Sequence, residues 1–255
     1  MDTLLEVSDV RATFGGLHAL DGASFAVARG KTTGLIGPNG AGKTTLFNAI
    51  TGLLPQATGR ISFNGVEISG LRPEHISRTG LVRTFQLARG CPRMTVFEHL
   101  MLYGPRQTGE GCLAGLFGGA VVREREEELR EKSWAMARRL RLDHVMDNLV
   151  TALSGGQKKL LEIGRALLAE PAMILLDEPM AGVNPTLVGE IADQLEVVRS
   201  EGITILLIEH EMALIKRLCE EVIVMAEGKY LTHGSFDHVT SDTRVQSSYL
   251  GRSRA

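Results

Sequence analysis

Cysteine is scarce in this chain. Cys91, Cys112 and Cys219 are three residues in 255, widely spaced, with no CxxC pair and no histidines at metal-ligand spacing. That excludes a disulfide scaffold and a finger-type zinc site, and it favours a reducing compartment. Neither sign of charge is in excess: 28 Lys plus Arg stand against 30 Asp plus Glu, so no global basic surface announces a nucleic-acid partner. Long apolar runs are missing as well. The best of them, Met173–Leu176 and Ile203–Ile208, are strand-length. They fall well short of the roughly 18 to 20 apolar residues needed to cross a bilayer, so any membrane connection is expected to run through a partner. The start, MDTLLEVSDVRATF, carries Asp2 and Glu6 where a secretory signal needs a basic start and an unbroken apolar run, and export by that route is not expected.

The chain does hold the makings of a sizeable core, with 44% hydrophobic and 23% charged residues, and its length suits one large domain or two small ones. Residues 4–10, 20–28 and 59–68 are β-rich and broken by Gly-Gly, Asp-Gly and Asn-Gly, a pattern of short antiparallel strands and hairpins in one sheet. Residues 31–36 read as a short buried strand running into a glycine-rich turn, after which residues 43–53 read as a helix closed by Gly52 and Pro55. The order repeats later: a strand over 172–177, a helix over 186–200 and a strand over 203–208. Alternation of this kind argues for a parallel sheet covered by helices. Between the two halves, residues 104–119 hold six glycines, and residues 122–142 are dense in Glu and Arg with apolar positions at helical spacing. This predicts a flexible loop followed by long helices whose charges form a solvated face.

Gly37-Pro-Asn-Gly-Ala-Gly-Lys-Thr-Thr45 satisfies GxxxxGK[ST] between a strand and a helix. Glycines let successive backbone N–H groups turn inward as a nest for several negative charges, and the helix N-terminus adds partial positive charge. Lys43 is then placed to reach β- and γ-phosphates, and the Thr44 hydroxyl to bind Mg²⁺. Met173-Ile-Leu-Leu-Asp177-Glu178 is a buried strand ending in two carboxylates. Asp177 is expected to serve the magnesium, directly or through water, and Glu178 to polarise a water in line with the γ-phosphate.

Leu153-Ser-Gly-Gly-Gln157 precedes an apolar-periodic stretch, with Ser154 at the N-cap position; a plain helix start leaves the two glycines unexplained. Together with the phosphate loop this pentapeptide resembles the ATP-binding cassette family of transport ATPases, and the resemblance runs from Leu4 to about Gly251. It implies an α/β fold: a P-loop NTPase core of mostly parallel sheet with flanking helices, an N-terminal antiparallel β subdomain and a helical subdomain at about 87–160, within a single domain 1–255. In that family the pentapeptide of one subunit closes over the γ-phosphate held by the other. Ser154, Gly155, Gly156 and Gln157 therefore join Gly37, Pro38, Asn39, Gly40, Ala41, Gly42, Lys43, Thr44 and Thr45 as expected ATP contacts. Gln86, in Arg83-Thr-Phe-Gln, resembles the glutamine that senses magnesium and attacking water while its loop touches the membrane subunit. His210, after the strand over 203–208, resembles the switch histidine that contacts the γ-phosphate, and Phe14, 29 residues before Lys43, the aromatic that stacks on adenine. The implied catalytic set is Lys43, Gln86, Glu178 and His210; the implied metal set is Thr44, Gln86 and Asp177; the implied cofactors are ATP and Mg²⁺. One position departs from the family: Asn184 stands where an Asp is common, leaving that residue's role open.

Further landmarks, Phe14-Gly-Gly, Arg83-Thr-Phe-Gln, Asp177-Glu-Pro-Met-Ala-Gly-Val-Asn-Pro, Ile208-Glu-His and Ser248-Tyr-Leu-Gly, are similar to the ATP-binding subunits of branched-chain amino-acid importers and of the related urea or amide importers. The resemblance implies a homodimer, or a heterodimer with a paralogous ATPase subunit. It also implies integral membrane permease subunits as partners, a solute-binding protein indirectly, no nucleic acid, and a peripheral place on the cytoplasmic face of the inner membrane. Arg83 and the glycine-rich insert are candidates for partner contact. Two other readings fit less well. Soluble ATP-binding cassette proteins of translation or DNA repair carry two cassettes or a long coiled-coil insertion, for which 255 residues leave no room. A P-loop kinase or GTPase has no use for the pentapeptide or His210.

Overall fold

The computed structural model describes residues 2–84, 91–104 and 119–250. The first two strands are long: β1 spans Thr3–Phe14 and β2 Leu17–Ala28. They pair antiparallel, and with β4 (Thr58–Phe63) and β5 (Val66–Glu67) they build a four-stranded sheet in the order β2-β1-β4-β5. Leu5, Val7, Val10 and Ala12 of β1 are all buried, although strict alternation would turn Val10 outward. An irregularity between Val7 and Val10, with Asp9 at φ 50°, shifts the phase and restores the apolar face. The opposite strand compensates. Val10 faces Ala23 and Arg11 faces Asp21, so Gly22 is an extra residue at φ 86°, and a Cβ there would lie 2.9 Å from Asp9 Oδ1. Asp21-Gly22, which reads from the sequence as a turn, is thus a bulge inside β2. The stretch over 59–68 forms the hairpin that its Asn-Gly suggested, β4 and β5 joined by Asn64-Gly65 with both φ positive, the geometry of a type I′ turn.

A second sheet has the order β10-β9-β3-β8-β7-β6. Its strands are β3 (Thr32–Ile36), β6 (Leu81–Arg83), β7 (Met173–Asp177), β8 (Thr204–Ile208), β9 (Glu221–Ala226) and β10 (Lys229–Gly234). All neighbours are parallel except β10, which returns antiparallel to β9. All five residues of β3 and all five of β8 are buried, which is why they appear in the sequence as unbroken apolar runs instead of alternating ones.

The chain divides into two compact units. One comprises Met1–Arg83, Ala172–Pro179 and Ala192–Ala255; the other comprises Thr84–Pro171 and Met180–Ile191. In the first unit, Leu5, Leu20, Phe47, Ile50, Phe63, Leu175, Leu206 and Met225 share one buried cluster. In the second, the helices Val96–Leu102, Gly119–Arg139 and Gly155–Leu168 pack on one another. Gly164 is tightly packed there, since a Cβ would lie 2.6 Å from Leu140 Cδ1, 3.4 Å from Met136 Cγ and 3.5 Å from Leu100 Cδ2. The charged stretch of the long helix is held by surface pairs, Lys132 bonding both Glu128 and Glu170, which fits the solvated face expected for it.

Candidate functional site

The phosphate loop leaves the carboxyl end of β3 and opens the helix Lys43–Ile50, three residues shorter than the sequence suggests. Its backbone is tightly confined. At Gly37 a Cβ would lie 2.2 Å from the Met225 carbonyl, and at Gly42, with φ 96°, 2.5 Å from the Ala19 carbonyl; no other residue fits at either place. Gly42 is the helix N-cap with no side-chain cap bond, and the first turn carries no acid, so nothing on the helix itself neutralises its positive end. The Lys43 ammonium is buried and donates to the carbonyls of Gly37 at 2.8 Å and Pro38 at 3.2 Å. Burial lowers its pKa, and the nearby carboxylates Glu178 and Asp177 pull it back up. Thr44 is exposed and Thr45 half-buried on the same first turn.

Two further strands deliver their ends to the same edge. β7 and β8 are adjacent and parallel, and Leu35 of β3 and Asp177 of β7 both stand opposite Ile208. The chain emerging from β7 therefore presents Asp177 and Glu178 beside the chain emerging from β8, which presents Glu209 and His210. Crevices at the carboxyl ends of such strands are where open α/β sheets bind ligands. Glu178 has φ 50°, although it precedes Pro179 and that position is normally extended. Its N–H donates to the Ile208 carbonyl at 3.0 Å, and its Oε1 lies 2.6 Å from His210 Nε2. With a carboxylate as acceptor, the proton of that bond belongs to Nε2.

Asp177 is held from another side. Arg83, the last residue of β6, donates from Nη2 to Asp177 Oδ2 at 2.8 Å and from Nη1 to Asn48 Oδ1 at 2.6 Å. Its side chain is 8% exposed. Arg83 was a candidate for partner contact in the sequence; it turns inward instead, because Asp177 and Asn48 satisfy the charge that burial would otherwise penalise. Desolvation lowers the guanidinium pKa and Asp177 raises it. Asn48 went unnoticed in the sequence, where the only signal is its spacing of four from Thr44, which puts both on one helix face.

The donor set fits a nucleotide and a magnesium ion. Thr44 and Asp177 carry oxygens of the hard type that Mg²⁺ takes. Gly37 and Gly42 admit no Cβ because the Met225 and Ala19 carbonyls press on them, which fixes the loop backbone whose N–H groups would meet a phosphate. Phe14 ends β1 as an exposed aromatic, 44% accessible. Gln86 lies outside the described residues.

In the second unit Ser154 caps the helix Gly155–Leu168 in a reciprocal box: its hydroxyl accepts from the Gln157 N–H, and its own N–H donates to Gln157 Oε1. A Cβ on Gly156 would lie 2.8 Å from Leu187 Cδ2, whereas at Gly155 the nearest atom would be the Gly182 carbonyl at 3.6 Å, ordinary contact. Asn184 Oδ1 accepts from the Leu187 N–H at 3.0 Å, capping the helix Pro185–Ser200. An amide serves that purpose as well as a carboxylate does, so the departure from Asp leaves the local fold intact.

Comparison with known proteins agrees with this geometry. A family profile described as "ABC transporter" matches residues 20–181. The probable branched-chain amino acid transport ATP-binding protein LivG of Methanocaldococcus jannaschii is 39% identical over 97% of each chain. The high-affinity branched-chain amino acid transport ATP-binding protein BraF of Pseudomonas aeruginosa is 36% identical over 97% of this chain and 98% of its own. Among solved structures, the ADP conformation of an ATP-binding cassette of an ABC transporter superposes with a TM-score of 0.84 at 39% identity, covering 98% of this chain and all of that one.

Proposed function

The chain belongs to the ATP-binding cassette transporter family, and from that premise we propose that it is the ATP-hydrolysing subunit of an importer for branched-chain amino acids. The observation that carries the reading is the convergence of Lys43, Asp177, Glu178 and His210 at the carboxyl ends of three adjacent strands. The relatives named above, similar over nearly their whole length, supply the substrate class.

In this reading the backbone amides of Gly40 to Thr45 and the Lys43 ammonium bind the triphosphate, and Lys43 exchanges its bonds to the Gly37 and Pro38 carbonyls for phosphate oxygens. Thr44 and Asp177 would hold Mg²⁺, which when bound would neutralise phosphate charge. Glu178 orients a water and accepts its proton; His210, already hydrogen-bonded to that carboxylate, fixes its direction and is read as the residue that contacts the γ-phosphate. Phe14 offers an exposed ring for the adenine. Most of the rate arises from positioning and charge neutralisation, since phosphoryl transfer leaves the protein little covalent work.

The pentapeptide is read as acting on the nucleotide held by a second subunit, identical or paralogous. Gly155 supports this, because the chain's own packing would admit a side chain there and the glycine is better explained by a ligand approaching the helix N-terminus. No helix among the described residues is long and apolar enough to cross a membrane; membership of the transporter family is what suggests a peripheral subunit docking on permease subunits at the cytoplasmic face. Gln86 is retained as the proposed magnesium and water sensor.

The test is to co-purify the chain with its membrane subunits in liposomes and measure phosphate release with leucine, isoleucine or valine and their solute-binding protein, against urea and short amides. Stimulation by the amino acids alone supports the substrate class; stimulation by urea or amides moves the chain to that importer type. Hydrolysis unaffected by any solute counts against the transport role.

A further inference from the structure

We propose that Arg83 is a positioning residue for the metal: its guanidinium fork fixes the separation between the helix that carries Thr44 and the strand tip that carries Asp177. The inference rests on the reading of Thr44 and Asp177 as the magnesium pair and adds to it the device that holds the two in register.

Thr44 and Asp177 stand 133 positions apart in the chain and on different elements, so their spacing must be set by a tertiary contact. Arg83 supplies one. Nη2 bonds Asp177 Oδ2 at 2.8 Å, and Nη1 bonds Oδ1 of Asn48, one turn beyond Thr44 on the same face of the helix Lys43–Ile50. The guanidinium also lies over the ring of Phe47, 5.5 Å from its centroid, which restrains its plane. A planar fork with donors at fixed angles transmits distance in a way that a flexible lysine cannot. Stability alone is a poor reason for the arrangement, because apolar residues of similar volume commonly replace a buried ion pair without loss. What the pair provides is a carboxylate pinned through one oxygen, at a set distance from the Thr44 helix.

The experiment uses the full chain and three variants, Arg83→Gln, Arg83→Lys and Asn48→Ala, with ATP affinity measured in EDTA and Mn²⁺ affinity of the ATP-bound protein measured by electron paramagnetic resonance titration. Arg83→Gln is expected to bind metal-free ATP within about twofold of the unchanged chain while its Mn²⁺ affinity falls about tenfold, the effect of losing one charge-assisted hydrogen bond. Arg83→Lys, which reaches one partner at a time, should fall between the two. Mn²⁺ affinity unchanged in Arg83→Gln overturns the proposal, as does equal loss of metal-free ATP binding, which would mark a purely structural role. If Arg83→Gln does not fold, Asn48→Ala decides: it keeps the Arg83–Asp177 pair and the Phe47 contact but removes the fork's hydrogen bond to the helix, and should weaken Mn²⁺ binding about threefold, whereas an unchanged value overturns the inference. An unmodified chain that binds no ATP in EDTA or with metal would instead refute the nucleotide site itself, and the Arg83 proposal with it.

Discussion

Glu178 is held at φ 50°, a left-handed conformation that costs a residue with a Cβ roughly 1–2 kcal/mol. That strain is tolerated because the carboxylate is needed there, so removing the side chain should expose it. Glu178→Ala and Glu178→Gly lose the same contact with His210, so their difference in stability isolates the backbone. Glycine relieves the left-handed strain but gives back about 0.4–1 kcal/mol through the greater freedom of its unfolded chain. The net expectation is that Glu178→Gly is the more stable of the two by about 0.5–1 kcal/mol, an unfolding midpoint roughly 1–4 °C higher in a chain of this size. Glu178→Gln, which keeps the backbone strain and a polar group toward His210, should bind ATP normally and hydrolyse it about 10²- to 10⁴-fold more slowly. Differential scanning calorimetry of the three variants, paired with phosphate-release rates, provides both readouts. A glycine variant no more stable than the alanine variant would refute the strain argument, and a glutamine variant with normal turnover would assign the base to another group.

Lys43→Ala should weaken ATP binding about 10- to 100-fold, the range for one charge-assisted hydrogen bond, and unchanged affinity by calorimetry would count against the phosphate loop. Mixing Ser154→Arg with Lys43→Ala subunits should restore one composite site per dimer; no recovery of hydrolysis at any ratio would argue against action between subunits. Ser154→Ala, by opening the capping box, should cost about 1 kcal/mol of stability, seen as a lower denaturation midpoint. Cys219 is buried and its thiol is pushed up to about 12, so iodoacetamide at neutral pH should label exposed Cys91 and spare Cys219 until the chain unfolds. Equal labelling in the native protein would refute the burial.

The chemistry of the phosphate site was legible in the sequence wherever it is local. A GxxxxGK[ST] loop needs only eight consecutive residues between a strand and a helix, and the steric reason for its glycines, carbonyls pressed against Gly37 and Gly42, gives a local pattern with little freedom. The acid pair after β7, the Ser154 cap and the hairpin turn at Asn64-Gly65 were likewise fixed by neighbours within a few positions. Tertiary structure decided the rest. Asp21-Gly22 became a bulge because the partner strand, with Asp9 at φ 50°, demanded an extra residue, and a turn dipeptide has no means of registering its cross-strand neighbour.

Glu178 and His210 meet across 32 positions only because β7 and β8 are adjacent and end at one edge. Arg83 turned from a supposed surface contact into a buried strut because Asp177 and Asn48, 94 and 35 positions away, satisfy its charge there. Spacing along a chain determines which groups a short segment can present. Which distant segments share an edge, and which charges find partners that permit their burial, depends on strand order and packing, and these are settled only when the whole core closes.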